Sequence, residues 1–531
     1  MNLKISKTNF LCITFIGFYA FIINWISGNI GVMPIDTFAF FDTSYSILEG
    51  KYPIRDFWIF SGLLLDYLQA LFFILIGENW TAYVVHGCFF NILISLAIYF
   101  TFINLNLSKI YSFFYSISLA TLCYPVSGTP FAYQHSFVLS LISIFIICLA
   151  IKKESNILWF FLPIIMSLGF LSQHTPSSYI NLFLIIIIFY NFISKKNIKN
   201  FKFFIFGCLG TLLLFLAFLF ITKTPVRDFI FQYILFPLTI GSGRILDDSS
   251  AFTSLSNQLN INRLIGDFKF IHVFSLLLIT ITLKNIFNKS NKSKNYLVLL
   301  NLLILISTFI FIFHQLITAN QIFIFGLIPI IAGFFQINLT ASENKKKFLN
   351  LFLIVLVTFC TVKYHYRFNI ERKFMDLENV NLEKAIFASQ LSPKLENLKW
   401  ITPFSYSENP QEELDFLKTV INHLKEDTRK KTVITHYQFL SLILGEDLNI
   451  LNRWYMDHHS HPTPDHKYFK YYEDFVNKQL TKNNIEVIYL ISFTKNEMMF
   501  DKVKVYFTQK CFENSEVIEG KFSFHEIKNC S

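Results

Sequence analysis

The sequence predicts a polytopic α-helical membrane protein with a soluble α/β domain at its C-terminus. Of the 531 residues, 53% are hydrophobic and 15% are charged, and the mean hydropathy is +0.46. Soluble domains are about 25% charged. Long apolar runs recur between residues 10 and 362, whereas the chain from about residue 364 is polar and mixed in charge. We therefore expect a transmembrane domain over residues 1–363 and a soluble domain over residues 364–531.

The apolar runs predict about 11 transmembrane helices. A spanning helix needs about 20 mostly apolar residues, which most runs reach with their flanks. The N-terminus has a basic start and an apolar core without a small-x-small cleavage site, so we interpret it as a retained first span and not a cleaved signal peptide. The runs are Phe10–Ile26, Ala82–Phe102, Phe137–Ile151, Ile157–Leu171, Ile180–Ile193, Phe203–Ile221, Ile271–Leu283, Leu297–Phe313, Ile322–Phe335 and Phe348–Val362.

One apolar segment, Gly62–Gly77 (GLLLDYLQALFFILIG), is predicted to lie at the membrane surface without crossing it. Its 16 residues make a helix of about 24 Å, shorter than the roughly 30 Å hydrocarbon core. Asp66 and Gln69 share one face, as in an amphipathic interfacial helix. The alternative is a span that starts at Phe57 and reverses every later loop.

Loop charges predict the orientation of the chain. If the N-terminus is inside and Gly62–Gly77 does not cross, the loops up to Lys347 place 16 Lys and Arg residues inside and seven outside. Basic short loops stay on the cytoplasmic side of a membrane. The stretch PIDTFAFFDTSYSILEGKYPIRDFW, residues 34–58, then lies in the first external loop, and the C-terminal domain lies outside too.

The C-terminal domain is predicted to contain a small Rossmann-like sheet. The strand-like runs KWITPF, KTVITHY and IEVIYLI alternate with helical patterns near Gln411–Glu426 and Tyr468–Lys482. The domain has no G-x-G-x-x-G fingerprint, so we expect no dinucleotide. Cys511 and Cys530 either pair in an oxidising compartment or remain two thiols.

Polar residues in the transmembrane part gather at the predicted external ends of spans, and the span interiors are almost free of charge. Transporters place ionisable groups near the membrane midplane. This pattern therefore favours a site at the membrane surface over a conduction path. The residues concerned are Asp36, Asp42, Arg55, Asp56, Tyr133, Gln134, His135, Gln173, His174, Arg227, Arg244, Asp247, Asp248, His314, Gln315, Asn320 and Gln321.

The first external loop, DTSYSILEGKYPIRDFW followed by LLLDYLQALFFILIGENW, resembles that of GT-C membrane glycosyltransferases. The protein O-mannosyltransferase-like and lipid A aminoarabinose transferase-like branches are the most similar. Asp42 and Tyr45 match the Asp and Tyr of their first motif, and EGKYPIRDF and LIGENW match the next two elements. SLGFLSQHTPSSY, residues 167–179, resembles their G-x-x-F-L-T-K-G-P element. Three positions depart from the pattern, at Thr43, His135 and Gln173.

The resemblance implies transfer of a sugar from a polyprenyl-phosphate carrier to a hydroxyl acceptor at the external face. A positioned carboxylate can take the proton of the acceptor hydroxyl as it attacks. Asp42 is the first candidate for this base by its place in the motif, and Asp36 is the second. Asp56 either positions the acceptor or pairs with Arg55. For each aspartate the alternative is a solvated carboxylate or a helix cap.

Arg244, in the external stretch FPLTIGSGRILDD, is the candidate ligand of the leaving phosphate. Alternatively it pairs with Asp247 or Asp248, and these two carboxylates could instead bind a divalent cation. We assign no metal ligand and no other cofactor. The further candidates for substrate binding, some of which could equally form an ordinary turn, are Tyr45, Arg55, Asp56, His135, Gln173, His174, His314, Gln315, Asn320 and Gln321.

The stretch WYMDHHSHPTPDH, residues 454–466, is rich in side chains that bind metals. Its spacing matches no standard zinc motif such as H-E-x-x-H, and Pro462 and Pro464 mark an exposed loop. It binds a metal, reaches over the membrane site to touch the acceptor, or is a plain loop.

The sequence thus favours a GT-C-type glycosyltransferase of a bacterial inner membrane, with a cytoplasmic N-terminus and a periplasmic C-terminal domain. Its expected partners are a polyprenyl-phosphate-linked sugar, a lipid, glycan or protein acceptor, and membrane lipids, without nucleic acid. The alternatives are a lipid or polysaccharide flippase and a catalytically degenerate binding scaffold.

Overall fold

The computed structural model describes residues 7–246, 258–287, 295–318, 324–340, 347–456, 460–508 and 510–528. Eight helices in these ranges are long and apolar enough to cross a membrane: Lys7–Gly28, Trp80–Asn104, Ala132–Lys153, His174–Lys195, Ile198–Ile221, Lys269–Phe287, Tyr296–Ile317 and Phe348–Met375. Two further predicted runs, Ile157–Leu171 and Ile322–Phe335, overlap shorter helices, Asn156–Ser172 of 17 residues and Leu327–Thr340 of 14 residues. The 14-residue helix Lys109–Leu122 lies where no apolar run was identified. The polytopic helical architecture agrees with the prediction, while the count of 11 spans stays a prediction.

The long helices turn bulky apolar side chains outward. Phe220 is 85% exposed, Phe348 is 83% exposed and Ile193 is 74% exposed. Removing such a side chain from water contributes about 1.5–3 kcal/mol, and water-soluble proteins rarely expose apolar surface on this scale. The helices therefore have the outer surface of a membrane protein.

Buried polar groups and one close backbone approach hold the first helices together. Asn91 Nδ2 donates hydrogen bonds to the backbone oxygens of Ala20 and Ala120, each at 3.0 Å. Gly128 has a φ of +72°, and a Cβ there would lie 2.2 Å from Gly28 Cα. A residue with a side chain cannot take that place, so glycine permits the contact.

The segment that is predicted to lie at the membrane surface forms the helix Leu63–Ile76, called here the amphipathic helix. It has 14 residues and is one of the shorter apolar helices. Asp66 and Gln69 are 0% exposed, whereas Ile74 and Leu75 are each 69% exposed. The helix thus turns its polar face into the protein and its apolar face outward, as expected at an apolar surface.

Residues 34–58, called here the aspartate segment, pack beneath the C-terminal region. They form the short helices Pro34–Thr37 and Phe41–Leu48. The backbone amide of Asp42 donates to Gln438 O at 3.1 Å, and that of Trp58 donates to Leu451 O at 2.8 Å. The aspartate segment is therefore a structural junction between the two parts of the chain.

The strands described in the C-terminal region are Ile386–Phe387 (β1), Lys399–Trp400 (β2), Lys431–Thr435 (β3), Val487–Ile491 (β4), Cys511–Ile518 (β5) and Phe522–Lys528 (β6). Four of them form a sheet with the order β3–β4–β6–β5. Strands β3 and β4 are parallel, and β6 is antiparallel to both of its neighbours. The accompanying helices are Pro410–Glu426, Leu440–Leu444, Phe469–Lys482 and Phe500–Val503.

The sheet differs from its prediction at both ends. KWITPF contributes only β2, which pairs with β1 outside the main sheet. The hairpin β5–β6 supplies two strands that the sequence did not predict, because β5 is largely exposed and lacks the apolar run that marks β3 and β4. Cys511 in β5 is disulfide-bonded, and its predicted partner Cys530 lies outside the described residues.

Shorter helical pieces connect these elements. They are Val226–Phe229, Ile230–Leu235, Phe236–Leu246, Asn262–Asp267, Tyr366–Ile370, Lys373–Met375, Leu382–Lys384, Ala388–Gln390, Pro393–Leu395, Phe404–Tyr406 and Lys504–Tyr506.

Candidate functional site

The first predicted base, Asp42, caps a helix of the C-terminal region. Its Oδ2 accepts a hydrogen bond from the backbone amide of Ser441 and its Oδ1 accepts one from Leu442, both at 3.0 Å. Burial raises the pKa of Asp42 to about 7, although the two amide hydrogen bonds lower it. This geometry is the helix cap that stood as the alternative, and catalysis by Asp42 stays a prediction.

The second predicted base, Asp36, is half-buried in the helix Pro34–Thr37. Burial raises its pKa to about 6, while the charge of His436 lowers it and that of Asp376 raises it. Within the described ranges, burial and the charges of His436 and Asp376 act on this carboxyl, and no direct hydrogen bond to it is seen. A partly exposed carboxyl with such a pKa has the properties of a general base near neutral pH.

A histidine and a glutamate of the C-terminal region lie in contact, and the charge of the histidine acts on Asp36. His436 Nδ1 lies 3.2 Å from Glu497 Oε1. Glu497 Oε2 accepts hydrogen bonds from the backbone amides of Phe493 and Thr494, at 2.9 and 3.3 Å. Burial acts to raise the pKa of Glu497, but the hydrogen bonds from His436 and the amides bring it below its ordinary value.

The topology of the sheet explains why these two side chains meet. His436 directly follows β3, and Glu497 lies in the loop that follows β4. Because β3 and β4 are parallel neighbours, their carboxyl ends share one edge of the sheet. Ligand sites of α/β sheets commonly lie at that edge.

Arg55 and Asp56 form an ion pair, which is one of the two predicted arrangements. Arg55 Nη2 lies 2.6 Å from Asp56 Oδ2, and Lys482 Nζ lies 2.5 Å from Asp56 Oδ1. Burial acts to raise the pKa of Asp56, but the hydrogen bonds from both cations lower it overall. Arg55 also donates to the backbone oxygen of Thr222 at 2.9 Å, which ties the aspartate segment to the end of the helix Ile198–Ile221.

Asp66 of the amphipathic helix forms a buried ion pair with Arg453 of the C-terminal region, and both side chains are at most 1% exposed. Thr43 Oγ1 donates to Asp66 at 2.7 Å, and the Arg453 guanidinium lies 4.6 Å from the ring centre of Phe40. This pair fastens the amphipathic helix and the aspartate segment to the C-terminal region.

An apolar groove of about 620 Å³ opens between the amphipathic helix and the helices Asn156–Ser172 and Ile198–Ile221. Its lining is leucine, isoleucine, proline and phenylalanine with few polar groups. The groove residues are Leu63, Leu64, Tyr67, Pro163, Ile164, Ser167, Leu168, Phe170, Leu171, Cys208, Thr211, Leu212, Leu214, Phe215, Phe218 and Phe229. Its shape and lining suit a hydrocarbon chain.

Aromatic and basic residues follow one another at one end of this groove. Tyr67 packs against Phe218 in the groove, with ring centres 4.9 Å apart, and stacks on Tyr52 at 6.4 Å. The Arg55 guanidinium lies 4.6 Å from the ring centre of Tyr52. Tyr67 Oη is buried and has no hydrogen-bond partner among the described residues. The groove thus ends beside a cation and an unsatisfied hydroxyl.

His135, a predicted binding residue, belongs to a buried polar chain between helices. His135 Nε2 lies 3.2 Å from His86 Nε2, and His86 Nδ1 lies 3.0 Å from Gln69 Oε1. His135 Nδ1 lies 2.9 Å from the backbone oxygen of Phe131. The side chains of His135, His86 and Gln69 are fully buried. Their contacts join the amphipathic helix to two of the long helices.

Of three other predicted residues, Gln173 and Tyr45 are buried and His174 is half-buried. His174 Nε2 bonds the backbone oxygen of Tyr233 at 2.6 Å. The backbone oxygen of Gln173 accepts from Ser136 Oγ at 3.1 Å. Tyr45 is 3% exposed. Their assignment to substrate binding stays a prediction.

The remaining candidates are only partly within the described chain. His314 and Gln315 are each 1% exposed, and their side chains lie 3.4 Å apart. Arg244 lies in the helix Phe236–Leu246, and its side chain is outside the described part. The other candidates outside it are Asp247, Asp248, Asn320 and Gln321.

The stretch 454–466 reaches over the aspartate segment. Trp454 Nε1 donates to Ile35 O at 3.0 Å, and Ser460 O accepts from Trp58 Nε1 at 3.0 Å. His461 lies 3.0 Å from Tyr506 Oη, while residues 457–459 are outside the described ranges. In those ranges no group of three or more His, Cys, Asp or Glu could hold a metal ion.

Sequence reasoning missed His436, Glu497, Arg453 and Tyr67. A signal existed for His436, because KTVITHY places a titratable residue directly after a buried strand, and polar residues at the ends of parallel strands meet at one edge. Nothing local marked Arg453, whose partner Asp66 is 387 residues away.

The fold and these contacts define a polytopic helical protein whose C-terminal α/β region closes over the loop that follows its first helix. No protein-family model and no curated protein matches the chain.

Proposed function

We propose that the protein is a GT-C-type membrane glycosyltransferase that moves a sugar from a polyprenyl-phosphate carrier to a hydroxyl acceptor. The observation that carries the proposal is the apolar groove that ends beside Tyr67, Tyr52 and Arg55. A carrier lipid has the same two parts, since it joins a long apolar chain to an anionic phosphate.

Basic side chains at this end of the groove suit the carrier phosphate. Arg55 bonds Thr222 O, and the exposed Lys223 comes next in the chain. The exposed Arg227 lies two residues before Phe229, which lines the groove. Charge-assisted hydrogen bonds from such cations are about twice as strong as neutral ones, so they would hold the phosphate while the chain lies in the groove.

Asp36 supplies the base in this proposal. At neutral pH a carboxyl with a pKa of about 6 is mostly ionised, and it can accept the proton of a hydroxyl as the hydroxyl attacks the sugar. Asp42 then has the different task of holding the helix Leu440–Leu444 over the aspartate segment, since both of its oxygens accept backbone hydrogen bonds.

The proposed location is a bacterial inner membrane, with a cytoplasmic N-terminus and the C-terminal region on the periplasmic side. The excess of basic residues in the predicted inner loops supports this orientation. The acceptor is a lipid, glycan or protein hydroxyl, and the assignment needs no nucleic acid. If a divalent cation takes part, Asp247 and Asp248 remain its predicted ligands.

A carrier-binding scaffold or flippase that breaks no bond is the second candidate. One observation favours it, because Asp42, which stands at the acidic position of the resembled motif, is engaged as a helix cap. The sequence disfavours ion-coupled transport, since seven of the eight long helices described have no Asp, Glu, Lys or Arg near their middle, and Lys363 of Phe348–Met375 follows the end of the apolar run Phe348–Val362.

The test is consumption of radiolabelled polyprenyl-phosphate sugars by the purified protein in lipid nanodiscs. We expect the wild type to consume one donor of a mixed set and Asp36→Asn to lose at least about 100-fold in rate, since the base is gone. Asp415→Asn is the matched control, because Asp415 is an exposed carboxylate on the helix Pro410–Glu426. If the wild type consumes none of the donors, or if Asp36→Asn consumes donor as fast as the wild type, glycosyl transfer by this site is refuted.

A further inference from the structure

A second apolar cleft lies at the turn between the helices His174–Lys195 and Ile198–Ile221. Its volume is about 220 Å³. The ring centre of Phe201 lies 6.4 Å from that of Phe189 and 5.2 Å from that of Phe192, so three aromatic rings form its wall. The residues that line this cleft, called here the lysine-end cleft, are Phe189, Phe192, Ile193, Lys196, Asn197, Ile198 and Phe201.

Four exposed lysines stand in or beside the lysine-end cleft, within the eight residues 195–202. Lys196 lines the cleft itself. Lys199 and Lys202 each follow a cleft residue by one position, and the two are three residues apart, so they lie on one face of their helix. In the described part of the chain the carboxylate that pairs with one of the four is Glu154, which lies 2.9 Å from Lys195 Nζ. The cleft is therefore bordered by an excess of positive charge.

This cleft lies at the opposite end of the helical part from the aspartate segment. The first residue of the helix Trp80–Asn104 packs on a phenylalanine of the aspartate segment, with ring centres 5.5 Å apart, and the 25 residues of the helix span about 37 Å. At the far end, the backbone oxygen of its last residue accepts from Lys152 Nζ at 2.7 Å, and Lys195 Nζ donates to the backbone oxygen of Ile151 at 3.3 Å. A hydrocarbon core of about 30 Å places lipid headgroups at this level.

A phospholipid with a negatively charged headgroup has the two parts that the lysine-end cleft can bind. Its acyl chain is hydrocarbon and suits the aromatic wall, whereas its phosphate is an anion and suits the lysines. A lysine lays its apolar stem along such a surface and keeps its ammonium group among the headgroups. A zwitterionic headgroup carries a cation of its own, which the lysines would repel.

We propose that the lysine-end cleft binds one anionic phospholipid, with an acyl chain against the three phenylalanine rings and the headgroup held by Lys196, Lys199 and Lys202. Basic pockets between membrane helices bind anionic headgroups in this way. The proposal does not depend on glycosyl transfer, because the cleft is remote from the aspartate segment and shares no residue with the apolar groove.

The experiment measures lipid binding to the full-length protein in detergent by native mass spectrometry. Phosphatidylglycerol and phosphatidylcholine with the same acyl chains are the two probes. We expect the wild type to bind one phosphatidylglycerol at least about tenfold more tightly than phosphatidylcholine. Lys196→Gln should weaken phosphatidylglycerol about fivefold and leave phosphatidylcholine unchanged. Lys284→Gln is the control, since Lys284 is an exposed lysine of another helix and does not line the cleft.

A second variant tests the apolar part of the cleft. Ile193 lines the cleft and is 74% exposed, so a tryptophan there can fill the cleft without displacing buried atoms. We expect Ile193→Trp to weaken phosphatidylglycerol about tenfold, which is about 1.4 kcal/mol. Ile186→Trp is its control, because Ile186 lies on the same helix, is 66% exposed and does not line the cleft.

Equal affinities of the wild type for the two phospholipids would overturn the proposal and make the lysine-end cleft an ordinary lipid-facing surface. An unchanged affinity for phosphatidylglycerol in Lys196→Gln or in Ile193→Trp overturns it as well. Polyprenyl phosphate is the third probe. If it displaces phosphatidylglycerol from the wild type and binds more weakly to Ile193→Trp, the cleft is a second carrier site and the phospholipid assignment is wrong.

Discussion

Among single residues, three carboxylates near the first helix are engaged in direct contacts. Asp42 accepts two amide hydrogen bonds, while Asp56 and Asp66 are each held by cations. Asp36 differs, because in the described part of the chain burial and nearby charges act on it without a direct hydrogen bond. Carboxylates held by hydrogen bonds or ion pairs stabilise the structure, whereas a carboxyl without such a contact can exchange a proton.

Removing one partner of the buried Asp66–Arg453 pair should destabilise the protein. Arg453→Met leaves Asp66 as an uncompensated buried charge, so we expect a loss of about 3–5 kcal/mol. The double variant Asp66→Leu with Arg453→Met should recover most of it, because neither charge then remains. Denaturant unfolding in detergent measures both variants. A single variant as stable as wild type would show that the pair is not a buried ion pair.

Helices and strands could be predicted from the sequence where a short stretch of residues carries the pattern. Apolar runs indicated the long helices, and the length and the polar face of Gly62–Gly77 separated the amphipathic helix from them. The exposed strand β5 has no such run and was missed. The groove could not be predicted, since its three helices come together only in the folded chain. The hydrogen bonds of Asp42 could not be predicted either, because their donors are 399 and 400 residues away.

Filling the groove should weaken donor binding without altering the chemistry. Thr211 is a half-buried groove residue, and a tryptophan there would occupy the space of a carrier chain. We expect Thr211→Trp to raise the donor KM roughly tenfold, which is about 1.4 kcal/mol, at nearly unchanged kcat.

Leu213→Trp is the matched control for this groove variant. Leu213 lies on the same helix, is 66% exposed and does not line the groove. Equal donor KM values for the two variants would place the carrier elsewhere on the protein.

For the whole molecule, the candidate site depends on the fit between the helical part and the C-terminal region. Lys51 Nζ lies 2.5 Å from Asp447 Oδ2, and Lys394 Nζ lies 3.4 Å from Glu78 Oε2. Together with the Asp42 cap, these contacts hold the edge of β3 and β4 beside the aspartate segment. Sequence patterns indicated each part but not this fit, because no local pattern encodes which surfaces meet.

The contribution of Asp42 to the contact between the helical part and the C-terminal region should be larger in acid than in base. The folded protein raises the pKa of Asp42 from 3.8 to about 7, so it holds this proton more tightly than the unfolded chain does. The resulting stability is full below about pH 4 and is lost as the pH rises through 7, by at most about 1.4 kcal/mol per pH unit for this group.

Thermal unfolding in detergent at pH 5 and pH 8 measures this dependence. Between pH 5 and pH 8 the unfolding temperature of the wild type should fall relative to that of Asp42→Asn, and at pH 5 Asp42→Asn should be the less stable of the two. A wild type that is more stable at pH 8, with the same pH dependence in Asp42→Asn, would contradict the assignment of the buried carboxyl.

The most direct test of glycosyl transfer is mass spectrometry of the carrier lipid after incubation with protein in nanodiscs. We expect wild type to convert one polyprenyl-phosphate sugar to free polyprenyl phosphate and Asp36→Asn to leave it intact. A donor whose mass is unchanged by wild type, with lipid bound in the groove, would contradict glycosyl transfer and identify a carrier-binding protein that transfers nothing.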